Sequence, residues 1–130
     1  MQFAVKLYDN RLPKAVRAYY QEKKCLLALR QCPGVVHLEA AGRLQDSLYP
    51  CICTVFAGSP SKHLSRQQLV TAKQAIEHMH AAGAAHGDIR HSNLIFDHDG
   101  CCRLADLAAC TLQASQEKMI QDLQQLKHLG

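Results

Sequence analysis

The chain has 130 residues, of which 48% are apolar and 20% charged, the mix of one globular domain rather than of a disordered tail or two ordinary domains. Fifteen Lys and Arg against eleven Asp and Glu leave a net charge of +4, spread along the chain, which fits an anionic ligand but is also ordinary for a protein surface. Trp is absent and aromatics are 5%, so stacking on nucleic acid has little to work with and no nucleic-acid partner is expected.

In chain order, Gln2 to Leu7 reads as a short strand with Phe3, Val5 and Leu7 on one side. Asp9-Asn10 marks a turn, and Pro13 can open a helix at its first position. Ala15, Val16, Tyr19, Leu26 and Leu29 recur at roughly helical spacing until Cys32-Pro33-Gly34 stops them. Val35 to Glu39 and Gly42 to Leu44 look like strand material. Leu48 to Phe56 is a continuous apolar run that suits a buried strand, although Pro50 demotes its start. Ala57 to Ser61 is a loop by composition.

The next helix carries the clearest signals. Ser65 with Gln68 makes a capping box, Leu69, Ala72, Ala75, Ile76 and Met79 form one apolar stripe, and Gly83 can terminate it. A hairpin follows, with Asn93 to Phe96, a turn at Asp99-Gly100, and Cys101 to Ala105. Ala114 to Leu129 reads as a final amphipathic helix. The order is an α+β pattern.

The seven cysteines include no Cys-x-x-Cys pair and sit mostly inside apolar runs, as buried free thiols of a reducing compartment do. The N-terminus lacks the apolar core of a signal peptide, and no apolar run is long enough for a bilayer. A soluble, cytoplasmic protein with no membrane partner is the expectation. The scattered His78, His80, His91 and His98 read as solvated side chains rather than a metal cluster.

The chemistry concentrates in His86-Gly-Asp88-Ile-Arg-His-Ser-Asn93. An Asp and an Asn on one loop between a helix and a hairpin can point into a single cleft, and the hairpin brings the carboxylate of Asp106 back beside Asn93. Phosphoryl transfer needs a carboxylate near the attacking hydroxyl and hard oxygen ligands for Mg²⁺. Each residue alone has a plain reading: Asp and Asn are common in loops and caps, and a lone strand lysine or a helix glutamate is usually solvated. The order and spacing of the set argue for function.

This stretch resembles the protein-kinase superfamily, whose catalytic loop H-R-D-L-x-x-x-N is followed by D-F-G. Here His86-Gly87-Asp88 and Asn93 are followed by Asp106-Leu-Ala108. Phe3-Ala-Val-Lys6 is similar to the family's V-A-I-K strand, and Gln21-Glu22 to the helix that supplies the lysine's carboxylate partner. The resemblance implies an α+β kinase-like domain in which residues 1–56 form part of a small lobe (a lysine strand, a helix and two further strands). Residues 57–130 would form the start of a helical lobe with catalytic loop and hairpin.

It further implies ATP and Mg²⁺ as cofactors. Asp88, Arg90 and Asn93 would be catalytic, Asn93 and Asp106 metal ligands, and Lys6, Glu22, Thr54, Phe56 and Asp106 nucleotide-binding, with Cys53 guarding the back of the pocket. The acceptor would be a protein Ser/Thr or small-molecule hydroxyl. Asp122 on the last helix would prop the catalytic loop from below, and His86 would support it.

The pattern departs from the family in three places. No Gly-rich strand pair precedes Lys6, Gly87 replaces the usual Arg, and Ala108 replaces the final Gly. His-Gly-Asp is similar to small-molecule and other atypical kinases, including those of the lipopolysaccharide core. The departures keep two rival expectations open, a catalytically inactive kinase-like binding module and a partial gene product.

Overall fold

The computed structural model describes residues 2–43, 49–56 and 58–130, with the main chain alone for Gln2 and Phe56. Three antiparallel strands form one sheet in the order β1-β3-β2, where β1 is Gln2–Leu7, β2 His37–Arg43 and β3 Pro50–Phe56. The helix α1, Pro13–Ala28, connects β1 to β2 and packs on β2 and β3. Pro13 opens it at the first position, where a missing N–H costs nothing. It ends at Ala28, short of the Cys32-Pro33-Gly34 stop that the sequence suggests.

The Val35–Glu39 and Gly42–Leu44 segments are not two strands. Residues 37–43 form one, β2, whose register against β3 shifts between Leu38 and Ala40. That irregularity absorbs the change of hydrophobic phase that makes the sequence look broken. Leu44 and Leu48 lie outside the described residues. Pro50 opens β3 and pairs with Arg43, a position where Pro is tolerated.

The helix α2, Arg66–Ala81, begins with the capping box the sequence announces. The Gln68 N–H donates to Ser65 Oγ at 3.1 Å, and the Ser65 N–H donates to Gln68 Oε1 at 2.9 Å. Gly83 follows the helix in the left-handed region, at φ 86°. A 3-10 turn at His91–Asn93 leads into a hairpin of β4, Leu94–Phe96, and β5, Cys102–Leu104. The last helix, α3, spans Gln116–Leu129 and starts two residues later than the pattern suggests, because Ser115 caps it by accepting from the Lys118 N–H.

One apolar core joins these parts. Leu26 of α1, Val35, Ile52 of β3, Ile76 and Met79 of α2, Leu104 of β5 and Leu107 are all 2% exposed or less. Main-chain bonds tie the hairpin to the rest of the chain: Val36 N–H donates to Leu104 O, and Leu104 N–H to Gly34 O. The packed core therefore fixes where the loops after α2 and after β5 can sit. Among the described residues, no helix is long and apolar enough to cross a membrane.

Candidate active site

The loop after α2 hangs on one buried carboxylate. Asp122 of α3 is 1% exposed, and its two oxygens accept the N–H groups of His86 (2.8 Å) and Gly87 (2.9 Å) and a ring nitrogen of His80 (2.9 Å). A buried carboxylate is tolerated only when several donors satisfy it. Gln125, one turn on, accepts the Ile89 N–H at 2.9 Å. So α3 anchors consecutive main-chain donors of the loop that bears Asp88.

His86 is fully buried and braces the same loop from the other side. Its Nδ1 accepts the Asp88 N–H at 3.1 Å while Nε2 meets Ala105 O at 2.8 Å. The tautomer with hydrogen on Nε2 satisfies both contacts. Gly87 sits at φ 88°, and a Cβ there would lie 2.5 Å from Ala109 O. An arginine cannot take this conformation against this neighbour, which is the physical reason the loop reads His-Gly-Asp.

Asp88 and Asn93 come together. The Asn93 amide nitrogen donates to Asp88 O at 2.8 Å and approaches Asp88 Oδ2 at 3.4 Å. This contact orients the buried Asn93 amide with its oxygen turned away from Asp88. Arg90 Nε donates to Asp88 Oδ1 at 2.8 Å, with Arg90 itself largely exposed. Ala105 N–H donates to Asn93 O, which brings Asp106 to the same end of the hairpin. Asp106 holds a left-handed backbone at φ 58°, a conformation that Asp enters more readily than most residues with a side chain.

Lys6 and Glu22 meet across the sheet and helix, Nζ to Oε2 3.4 Å. Lys6 is closer still to Asp106, at 3.1 Å from Oδ1. Burial raises the Glu22 pKa above the ordinary carboxylate range, outweighing the pull of Lys6, and the Asp106 charge adds to the rise. Asp106 is pushed the same way by burial, but the Lys6 ammonium and the Ala108 N–H hold it below its usual value. The lysine is thus shared between two carboxylates of opposite tendency.

A cavity of about 200 Å³ opens at this pair, lined by Ala4, Lys6, Glu22, Thr54, Ala105 and Asp106 among others. Ala4 pairs with Thr54 and Lys6 with Ile52, so strand alternation turns these side chains to one face. Cys53 does not line the cavity. Its neighbour Thr54 does line it, so the side chain of Cys53 lies on the other face of β3. A smaller hollow of about 60 Å³ lies beside Val55, Ile95, Asp97 and Arg103, and Val36 lines both. Phe56 ends β3 opposite Gln2, and its side chain lies outside the described residues.

The sequence reading missed Tyr8. It is 5% exposed, the Lys6 ammonium stands 5.1 Å from its ring centre, and its hydroxyl has no hydrogen-bond partner among the described residues. Burial first, and then the nearby Glu22 charge, drives its pKa well above the ordinary range. His80, expected to be solvated, is instead largely buried against Asp122, and the contacts of Gln125 and of Gln21, whose amide nitrogen donates to Cys110 O at 2.7 Å, were not foreseen. Single polar residues on helices carry no spacing signal that could have found them.

The paired lysine and glutamate, the braced His-Gly-Asp loop with its Asn, and an Asp beyond the hairpin together define a protein-kinase-like domain. The family model of the lipopolysaccharide kinases (Kdo/WaaP) matches residues 39–129, a span that includes Asp88, Asn93, Asp106 and Asp122. The chain belongs to that family. It is also 31% identical over 123 residues to a probable serine/threonine-protein kinase of Arabidopsis thaliana, an alignment covering 81% of this chain and 20% of that protein. With the serine/threonine-protein kinase LATS2 of mouse and of human it shares 29% identity over 104 residues, 72% of this chain and 10% of either relative. The chain therefore spans between a tenth and a fifth of the curated relatives it matches.

Proposed function

We propose that the chain carries the catalytic centre of an ATP-dependent phosphotransferase that moves the γ-phosphoryl group to a hydroxyl acceptor. The observation that carries this reading is the convergence of Lys6, Glu22 and Asp106 on one cavity, at 3.4 and 3.1 Å from the lysine ammonium, from segments a hundred residues apart.

In this reading Lys6, held by Glu22, orients the nucleotide phosphates, and Thr54 with the main chain near Phe56 borders the adenine end. Asp88 accepts or orients the proton of the attacking hydroxyl. Arg90, tethered to Asp88, offsets charge on the transferred group. Asn93 and Asp106 fit Mg²⁺ by chemistry: both are oxygen donors, and Mg²⁺ takes few protein ligands alongside phosphates. When bound, Mg²⁺ supplies charge neutralisation between phosphates. Lys6, at 3.1 Å from Asp106 Oδ1, would reach the phosphates from the same position. The acceptor class is a small-molecule or protein Ser/Thr hydroxyl.

A second reading, an inactive binding module, draws on the same Lys6–Asp106 contact. It occupies the residue that a metal would need, and the 200 Å³ cavity is below the range of ordinary ligand pockets. Calorimetric titration with ATP and Mg²⁺ separates the two. The phosphotransferase reading expects metal-dependent binding that Asp106→Asn loses, and turnover that Asp88→Asn loses while binding survives. No nucleotide binding by the folded chain overturns it.

A further inference from the structure

One peptide group lies between the two halves of the candidate site. The Cys110 carbonyl accepts the side-chain N–H of Gln21 on α1 at 2.7 Å, and Cys25 Sγ, one helical turn on, stands 3.7 Å from the same oxygen. The N–H of that same peptide belongs to Thr111 and donates to Ala85 O at 2.9 Å, while the Ala85 N–H donates back to Thr111 O at 3.0 Å. Ala85 directly precedes His86 in the loop that bears Asp88. A side chain of α1 and the main chain of that loop therefore hold opposite ends of one planar unit.

The next residue on α1 is Glu22, which meets Lys6 at 3.4 Å. A tight charge-assisted bond is about 2.7–2.9 Å, so the pair does not hold itself and depends on where α1 is fixed. The start of α1 does not fix it, because Leu12 at the N-cap offers no side-chain acceptor to the first turn. Gln21 and Cys25 lie four residues apart on one line of the helix, and Glu22 is about 100° around it, so one turn serves both contacts. Cys25 and Cys110 are buried, and a thiol is a weak donor. Without the Gln21 amide the buried carbonyl is left short of a partner.

We propose that Gln21 is a positioning residue of this site: it ties α1 to the Cys110–Thr111 peptide and so holds the turn that presents Glu22 to Lys6 in place relative to the Asp88 loop. Its consequence for phosphoryl transfer rests on the phosphotransferase reading. Gln21 acts through Glu22 and the main chain, not on the transferred group. When the amide donor is lost, α1 keeps its packing on β2 and β3 but loses the tether beside Glu22. Lys6 is then left with Asp106, 3.1 Å away, as its carboxylate partner.

The test is NMR of the 130-residue chain without nucleotide, beside Gln21→Met and Gln21→Lys. Methionine keeps the length of the side chain but donates nothing, and lysine restores a donor. In the unaltered chain, nuclear Overhauser contacts should link the Gln21 side-chain amide to Cys110 and the Lys6 side chain to Glu22. Gln21→Met should lose the Lys6–Glu22 contact with its circular dichroism spectrum unchanged. Its Thr111 amide hydrogen should exchange on the order of fivefold faster, the effect of about one hydrogen bond. Gln21→Lys should recover both. A Gln21→Met chain that keeps both readouts overturns the proposal, as does a Gln21→Lys chain that recovers neither. Absence of the Gln21–Cys110 contact in the unaltered chain overturns it too, even if Gln21→Met does not fold. These readouts need no nucleotide, so ATP titration of the unaltered chain judges the phosphotransferase reading separately, and absent binding there leaves the contacts to decide the role of Gln21.

Discussion

Gly87→Ala is the sharpest probe of how the candidate loop is held. Gly87 has φ 88°, and the added Cβ would stand 3.2 Å from the Ala109 carbonyl carbon, a tight contact, and 2.5 Å from Ala109 O, closer than Cβ atoms come to a backbone oxygen. Gly100, in the hairpin turn, has φ 83° with nothing within 4 Å of its notional Cβ. Gly100→Ala therefore costs only the left-handed backbone, about 1–2 kcal/mol. Gly87→Ala costs that and also pushes the loop off Ala109, which breaks the 2.9 Å bond from its N–H to the buried Asp122. A hydrogen bond to a charged group contributes roughly 1.5–3 kcal/mol. The two variants should differ by about that amount, a large part of the ~5–15 kcal/mol that stabilises a domain. Urea unfolding of both, followed by circular dichroism, measures the difference. Equal losses of stability would refute the reasoning, because the contact with Ala109 and the bond to Asp122 would then contribute nothing.

Carboxyl-directed NMR titration should find Glu22 taking its proton above the ordinary glutamate range and Asp106 below the ordinary aspartate range, with Lys6→Met raising the Asp106 value. The signs oppose each other. The stability that Asp106 contributes is present above its unfolded pKa and lost as pH falls through its lowered folded value. Glu22, raised, costs stability as pH rises through its folded value, so Glu22→Gln should lessen the loss on going from mildly acid to neutral pH. Asp122→Asn keeps the shape but turns an amide nitrogen toward a buried donor. It should cost about 1–3 kcal/mol in urea unfolding, and no loss would contradict the bonds to His86 and Gly87. Alkylation at mildly alkaline pH, read by mass spectrometry, should modify exposed Cys101 first and spare buried Cys102, whose thiol is pushed up to about 12 by burial. Preferential labelling of Cys102 would contradict its placement.

The sequence by itself determined what depends on neighbours along the chain. Ser65 and Gln68 lie three apart and cap α2 whatever surrounds them, and Asp99-Gly100 turns the hairpin locally. Asp88 and Asn93 share one short loop, so their meeting needed no knowledge of the fold. Asp122, singled out as a prop from below, does meet the loop through His86 and Gly87.

The tertiary structure decided what depends on register and on distant segments. Whether Cys53 or Thr54 faces the cavity turns on which residue β1 sets opposite it, since one step along a strand exchanges its faces. The unity of β2 rests on an irregularity that no alternation pattern displays. The sharing of Lys6 between Glu22 and Asp106, the use of Gly87 against Ala109, and the burial of Tyr8 beside that pair each join residues far apart in sequence. Local preference acts over a turn or a few residues. Contacts across such separations exist only once the core around Leu26, Ile52, Ile76 and Leu104 has closed and fixed the segments that bear them.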